Sequence, residues 1–292
     1  MPEEKHAERL ADAITCSVRR MIESSGSGVI GIPFSGGLDS SLVAAAAIRR
    51  GGVGVRLYSV GLEGSADLAA ARRVGLELGV RPNEVIVDRR MIEGAIPAVA
   101  ALLGRRRVGP LLSKEWGMDE DSKMPSPVQL GFGLVLHFAC RAAAGDGIEM
   151  MMTGQGADEL FLGYKRYESM DESEMERNSA ADLADVVKRV VPCELRIASG
   201  FGVSLRYPFL SDAVVSLAGS IPAGLKIVHS PEPFTNCRKW ILRMAALESG
   251  LPLWLCDSPK RAAQYGSGIA GELKEMAKKE GLRQNEFLER FL

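Results

Sequence analysis

Two short stretches carry the residue types that could do chemistry. In "SGGLDSS", 35–41, Gly36 and Gly37 stand with the hydroxyls of Ser35, Ser40 and Ser41 around one carboxylate, Asp39. Paired glycines let backbone amides approach an anion closely, and serines add donors. If a helix starts there, its dipole also favours negative charge. A carboxylate inside such a cradle would repel its ligand, so Asp39 makes sense as a ligand for Mg²⁺, which bridges carboxylates and phosphates. A simple helix cap by Asp39 or Ser35 is the bland alternative, but a cap needs neither two glycines nor three serines. No Lys follows the glycines, which excludes a Walker A loop. The second stretch is "TGQGADELFLGYKRY", 153–167. Gly154 and Gly156 form another close-approach turn, and Asp158-Glu159 open a helix. An acid pair there ordinarily complements the helix dipole. Facing a triphosphate, Asp158 would supply a second Mg²⁺ ligand.

These stretches need a scaffold, and the hydrophobic pattern predicts one. Helical periodicity runs over 5–23 through Leu10, Ile14, Val18 and Met21-Ile22, and "VIGIPF" reads as a buried strand. A helix from Asp39 to Arg50 stops at Gly51-Gly52. Strands follow at 55–61, 84–88 and 148–154, with helices at 65–79 (N-cap Ser65), 91–103 and 127–145. Residues 104–126 are polar and aperiodic, a long loop of the kind that serves as a lid. Alternation of strand and helix from 28 to 154 predicts an α/β fold, a parallel sheet covered on both faces. After about 168 the strands fade, and helical stretches at 171–190, 211–219, 235–249 and 269–279 dominate. The expected organisation is a single domain over 1–292: an N-terminal helix (1–25), an α/β core (26–168) and a mainly helical C-terminal part (169–292).

Bulk properties exclude several classes. The 292 residues are 46% hydrophobic and 25% charged with a formal net charge of −1, so no basic field argues for nucleic acid or an anionic membrane. The five cysteines have no C-x-x-C spacing, which argues against a disulfide framework or a zinc site and fits a reducing cytoplasm. The charged N-terminus does not resemble a signal peptide, and no run of about eighteen apolar residues predicts a membrane span.

The first stretch resembles the pyrophosphate loop of the N-type ATP pyrophosphatases, the adenine nucleotide alpha hydrolase-like superfamily that splits ATP between its α- and β-phosphates. Four segments in order resemble the synthetase domain of asparagine synthetase: "SGGLDSS"; "YSVGLEGSADLAAARRVGLELG"; "TGQGADELFLGY"; and "LRYPFL" followed by "RKWILR" and "SPKRAAQYGSGI". The resemblance spans 28–270. It implies ATP and Mg²⁺, activation of a carboxylate as an acyl-adenylate with release of pyrophosphate, and transfer of an amine, the chemistry of a carbon–nitrogen ligase. Carried over by position, Ser35, Gly36, Gly37, Asp39, Ser40 and Ser41 hold pyrophosphate and metal. Pro33 and Val60 flank adenine through their backbones, Thr153 and Gly154 border the nucleotide, and Asp158 is the second metal ligand. Lys260 matches the lysine that neutralises charge as the adenylate forms.

Three departures bear on the acceptor. Full-length members of that family begin with a glutaminase domain; this sequence starts Met1-Pro2 without one, so the expected nitrogen source is ammonia, another amine or a separate amidotransferase subunit. The glutamate of the family's GEG turn is Gln155, an amide that cannot act as a base; Glu159 is the alternative base. The glutamate two residues before the arginine of the "PFL" segment is Ser204, ahead of Arg206, and the Asp that follows "PFL" is displaced to Asp212 by Ser211. The expected partners are a small carboxylate, aspartate-like, and an amine; a homodimer stays open. Asparagine as the product is in question. Alternatives are a related ligase with another acceptor, as in the β-lactam synthetases, a macromolecule-modifying enzyme of the superfamily, or a module that binds ATP or AMP without turnover.

Overall fold

The computed structural model describes residues 2–103, 126–229, 232–258 and 263–291. The first helix, α1 (Pro2–Ser25), buries a stripe of Ala7, Leu10, Ile14, Val18 and Ile22, as the i, i+3, i+4 spacing requires. Strand β1 (Val29–Pro33) leads into α2 (Leu38–Arg50), β2 (Gly54–Gly61) into α3 (Ala66–Leu78), and β3 (Asn83–Ile86) into α4 (Arg89–Leu103). Helix α5 (Pro127–Gly145) begins at a capping box formed by Ser126 and Gln129 and returns the chain to β4 (Met150–Met152). Ser65 stands at the N-cap of α3, but its hydroxyl does not cap the helix.

The strands, the last of them β5 (Ser204–Arg206), are parallel, in the order β3-β2-β1-β4-β5. The chain first winds outward from β1 through β2 to β3, then crosses to the other side at β4. The order therefore reverses between β1 and β4, and in an open α/β sheet a ligand crevice opens at that reversal, beyond the carboxyl ends of the strands. Side-chain alternation splits the core in two. Ile30, Ile32, Leu57, Met150 and Met152 pack with α1 and α2, whereas Tyr58, Val60 and Met151 pack with α4 and α5.

The fifth strand, β5 (Ser204–Arg206), departs from the expectation that strands end by about 168. It is three residues long and pairs only with β4, too short for its alternation to register. The helix expected at 171–190 becomes α6 (Glu172–Asp185), a π turn at Val186–Val190 and α7 (Val191–Ser199). Beyond β5 come α8 (Asp212–Ser220), α9 (Trp240–Glu248), α10 (Ile269–Lys279) and α11 (Gln284–Glu289). Helix α9 starts five residues later than the expected 235, because the carboxylate of Asp257 accepts hydrogen bonds from the amides of Thr235 and Asn236 and holds that segment outside the helix. The expected lid loop lies outside the described residues, apart from Ser126.

Helix α5 is, against expectation, long and apolar enough by length and composition to cross a membrane. Leu130, Leu134, Phe138 and Ala139 are wholly or almost wholly buried against the fold, as in a core helix. All five cysteines are free thiols.

Candidate active site

The β1–α2 loop and the β4 loop meet at the sheet's point of reversal. Gly36 takes φ 70°, and a Cβ there would lie 2.6 Å from the backbone of Ala70 and Ala71; the loop is pressed onto α3. Gly37 occupies the N-cap of α2 and no side chain caps that helix. A Cβ at Gly37 would meet only the Ser35 hydroxyl, at 3.3 Å. The first-turn amides of α2 thus have no side-chain cap, the arrangement that suits an anion. Ser35 accepts from the Gly37 amide at 3.3 Å and lies 3.4 Å from the Ser40 hydroxyl, which donates to the Gly37 carbonyl. Ser41 is wholly buried and its hydroxyl makes no hydrogen bond.

The glycines of the second stretch approach their own chain. A Cβ at Gly154 would lie 2.9 Å from Cβ of Asp39, and one at Gly156, with φ 96°, would lie 2.4 Å from Leu210. Gly154 therefore lets the β4 loop reach Asp39 and close the site. Thr153 accepts from the Gln155 amide through its hydroxyl at 3.3 Å, and Gln155 is half-buried. Pro33 ends β1, and Val60 lies at the carboxyl edge of β2 beside Gly61.

The two carboxylates chosen from sequence, Asp39 and Asp158, converge on a residue that sequence reasoning missed. Lys239 Nζ lies 2.7 Å from each carboxylate oxygen of Asp39 and 2.7 Å from Oδ1 of Asp158. The Lys239 side chain is 4% exposed, against 25% for Asp39 and 21% for Asp158. Burial alone would lower the ammonium's pKa; the charges of Asp158 and Asp39 outweigh it and hold it above the ordinary value. Gly163 makes room for the cluster, since a Cβ there would lie 1.9 Å from Asp158 Oδ1 and 2.4 Å from Lys239 Cε. Arg238 donates to the Gly163 carbonyl at 2.7 Å and pairs with Glu168.

The sequence carried no signal for Lys239, which falls inside the helix expected at 235–249, where a lysine is an ordinary residue. Lys239 is the N-cap of α9 and holds φ 56°, a left-handed conformation that few non-glycine residues adopt.

The residues fit Mg²⁺. Two carboxylates already gather around one positive group, and their donors are all oxygen. Among the described residues no group of three or more His, Cys, Asp or Glu could cage a metal. Mg²⁺ commonly takes one or two carboxylates and completes its shell with phosphate and water.

Around this centre the other assigned residues separate. Glu159, the alternative base, is 1% exposed and accepts from the Tyr164 hydroxyl; it belongs to the interior. Ser204 lies at the amino end of β5, where its hydroxyl donates to the Glu149 carbonyl at 3.1 Å. Lys260 lies outside the described residues. The segments on either side of it are anchored. Arg243 donates to the carbonyls of Cys256 and Ser258, and the Ser267 carbonyl accepts from the Leu62 amide at 2.9 Å, beside the end of β2.

The asparagine synthase family model matches residues 9–178 and 168–290. A protein of Methanocaldococcus jannaschii named "Putative asparagine synthetase (glutamine-hydrolyzing) 1" is 32% identical over 98% of this chain and 54% of its own length. The mouse "Asparagine synthetase domain-containing protein 1" is 36% identical over 42% of this chain and 20% of its own length. The chain thus spans about half the length of the archaeal relative and less of the mouse one. Among solved structures, an NH3-dependent NAD synthetase from Campylobacter jejuni is 16% identical, over 77% of this chain and 96% of its own, with a TM-score of 0.33; that superposition is too loose to bear on the site.

Proposed function

The chain belongs to the asparagine synthase family, and from that premise we propose that it is an ATP-dependent carbon–nitrogen ligase that activates a carboxylate as an acyl-adenylate. One observation carries the reading: the uncapped N-terminus of α2 and the Asp39–Asp158 carboxylate pair meet at the point where the strand order reverses.

The amides at the start of α2, with the hydroxyls of Ser35 and Ser40, receive the pyrophosphate portion of ATP. Pro33 and Val60 border adenine at the edges of β1 and β2, and Thr153 and Gly154 form the facing wall. Asp39 and Asp158 would hold Mg²⁺, which when bound offsets phosphate charge and orients the leaving group. An oxygen of the substrate carboxylate attacks the α-phosphorus, the bond to the bridging oxygen of the β-phosphate breaks, and pyrophosphate departs with the electron pair. Fixed positive groups near the departing oxygens stabilise that charge as it develops, and Lys260 is assigned to this task. A neutral amine then attacks the acyl carbon, AMP leaves, and the amine's surplus proton must go to a base. Gln155 can orient the amine by hydrogen bonding but cannot accept its proton. The acyl group comes from a small carboxylate, and the nitrogen from ammonia or another amine. The reducing cytoplasm is the compartment that five free thiols suit.

Incubation with Mg·ATP, ammonium and each of a panel of carboxylates tests this, with nucleotide and phosphate products resolved. AMP and pyrophosphate in equal amounts, with an amide product, is the expected result. Stoichiometric ADP and inorganic phosphate would overturn it, and binding of ATP without turnover would favour a sensing module.

A further inference from the structure

We propose that the Lys239 ammonium is a resident counter-ion standing in the place of the metal, and that a divalent cation reaches Asp39 and Asp158 only by displacing it. The proposal rests on the reading of those two carboxylates as metal ligands.

Three observations lead to it. Both oxygens of Asp39 are within 2.7 Å of Nζ, so a metal that takes either competes with the lysine for it. Oδ1 of Asp158 lies at the same distance, so one ammonium bridges both carboxylates. The lysine is also held there at a cost to its surroundings: its backbone is left-handed, it caps a helix end that disfavours a cation, and its stem crosses Gly163 where no Cβ fits. Two half-buried carboxylates without a cation would repel each other. Lys239 removes that repulsion when no metal is present and keeps the pair at bridging distance. A divalent ion would bring twice the charge to the same oxygens. A polyphosphate arriving at the start of α2 would offer the released ammonium new acceptors.

Mn²⁺ alone, without nucleotide, is the probe. Its binding is followed by the electron paramagnetic resonance signal of the free ion, together with thermal unfolding. The proteins are wild type, Lys239→Met, which keeps an unbranched stem without charge, and Asp39→Asn/Lys239→Met. Wild type should bind Mn²⁺ weakly and show no rise in Tm. Lys239→Met should melt lower without metal, bind Mn²⁺ about ten-fold more tightly or better, and recover Tm when it is added. The double variant should lose the gain in affinity. Equal affinity in wild type and Lys239→Met, or a gain that survives in the double variant, would overturn the proposal. If Lys239→Met does not fold, acetylation of Lys239 in wild type decides, read by peptide mass spectrometry: Mn²⁺ should increase it, and no change would overturn the proposal. The ligase reading fails separately. Loss of the Mn²⁺ effect with AMP still produced removes only the displacement, and the Mn²⁺ effect without any nucleotide turnover removes only the ligase.

Discussion

Two groups of acids lie along the same sheet and reach opposite electrostatic solutions. At the reversal between β1 and β4, Asp39 and Asp158 share the ammonium of Lys239. In the interior, Glu194 on α7 is 2% exposed and neither of its carboxyl oxygens makes a hydrogen bond. Burial pushes it up to about 8, with nearby Glu159 adding to the rise; Tyr207 opposes it without reaching hydrogen-bonding geometry, since the Tyr207 hydroxyl is itself unpartnered. A buried carboxyl group either acquires a cation or keeps its proton. On the displacement proposed above, the site pair exchanges its cation for a metal, whereas Glu194 has no cation to exchange.

The sharpest way to break this contrast is to remove a charge from the site. Asp39→Asn or Asp158→Asn should lower AMP formation by about 10²-fold or more, because each deletes a charged metal ligand. Wild-type turnover in either, measured by AMP release, would end the assignment. Gly163→Ala should come next. Its methyl group would overlap Asp158 Oδ1 and Lys239 Cε, so turnover should fall by roughly ten-fold and Tm should drop, as for other overpacked sites. A variant with the turnover and melting temperature of wild type would show that the cluster is not closely fitted around Gly163.

The interior acid gives a pH test. Folded Glu194 holds its proton up to about pH 8, whereas an unfolded chain releases it near the ordinary 4.5. Its contribution to stability is therefore complete below about pH 4.5 and is lost progressively as pH rises toward 8. Glu194→Gln, neutral at every pH, should flatten that decline. Denaturant midpoints at pH 5 and pH 8 measure it, and equal slopes in both proteins would show that Glu194 ionises normally. The smallest expected effect is at the acceptor side. Gln155→Glu should raise ammonia-dependent amide synthesis relative to AMP release, most visibly near pH 7, where unprotonated ammonia is scarce. Efficient asparagine formation by the unmodified protein would remove the need for that base.

Much of the scaffold was readable without coordinates because its information is local. The apolar stripe of α1, the glycine stop after α2 and the alternation of strands and helices up to β4 all lie within one or two turns of chain. That Asp39 and Asp158 would lie in first helical turns was readable for the same reason, since glycine placement and acid spacing are written in consecutive residues. The β5 strand was not, because three residues carry too little alternation and its existence depends on β4 beside it. The glycines of the second stretch pointed to close approach but not to what approaches; their neighbours are Asp39 and Leu210 of the same chain.

Lys239 marks the boundary most clearly. By itself the sequence determined an α/β protein of this family with two carboxylates set at helix starts, because periodicity, glycine placement and acid–glycine spacing are properties of short segments. Only the tertiary structure decided that a lysine two hundred residues from Asp39 lies between those carboxylates, that Ser41 and Glu159 are buried, and that Gly163 clears the path. The physical reason is that charge compensation in a buried site depends on distance through space. Distance through space is fixed by how α9 packs against α1 and α2, which no local pattern encodes.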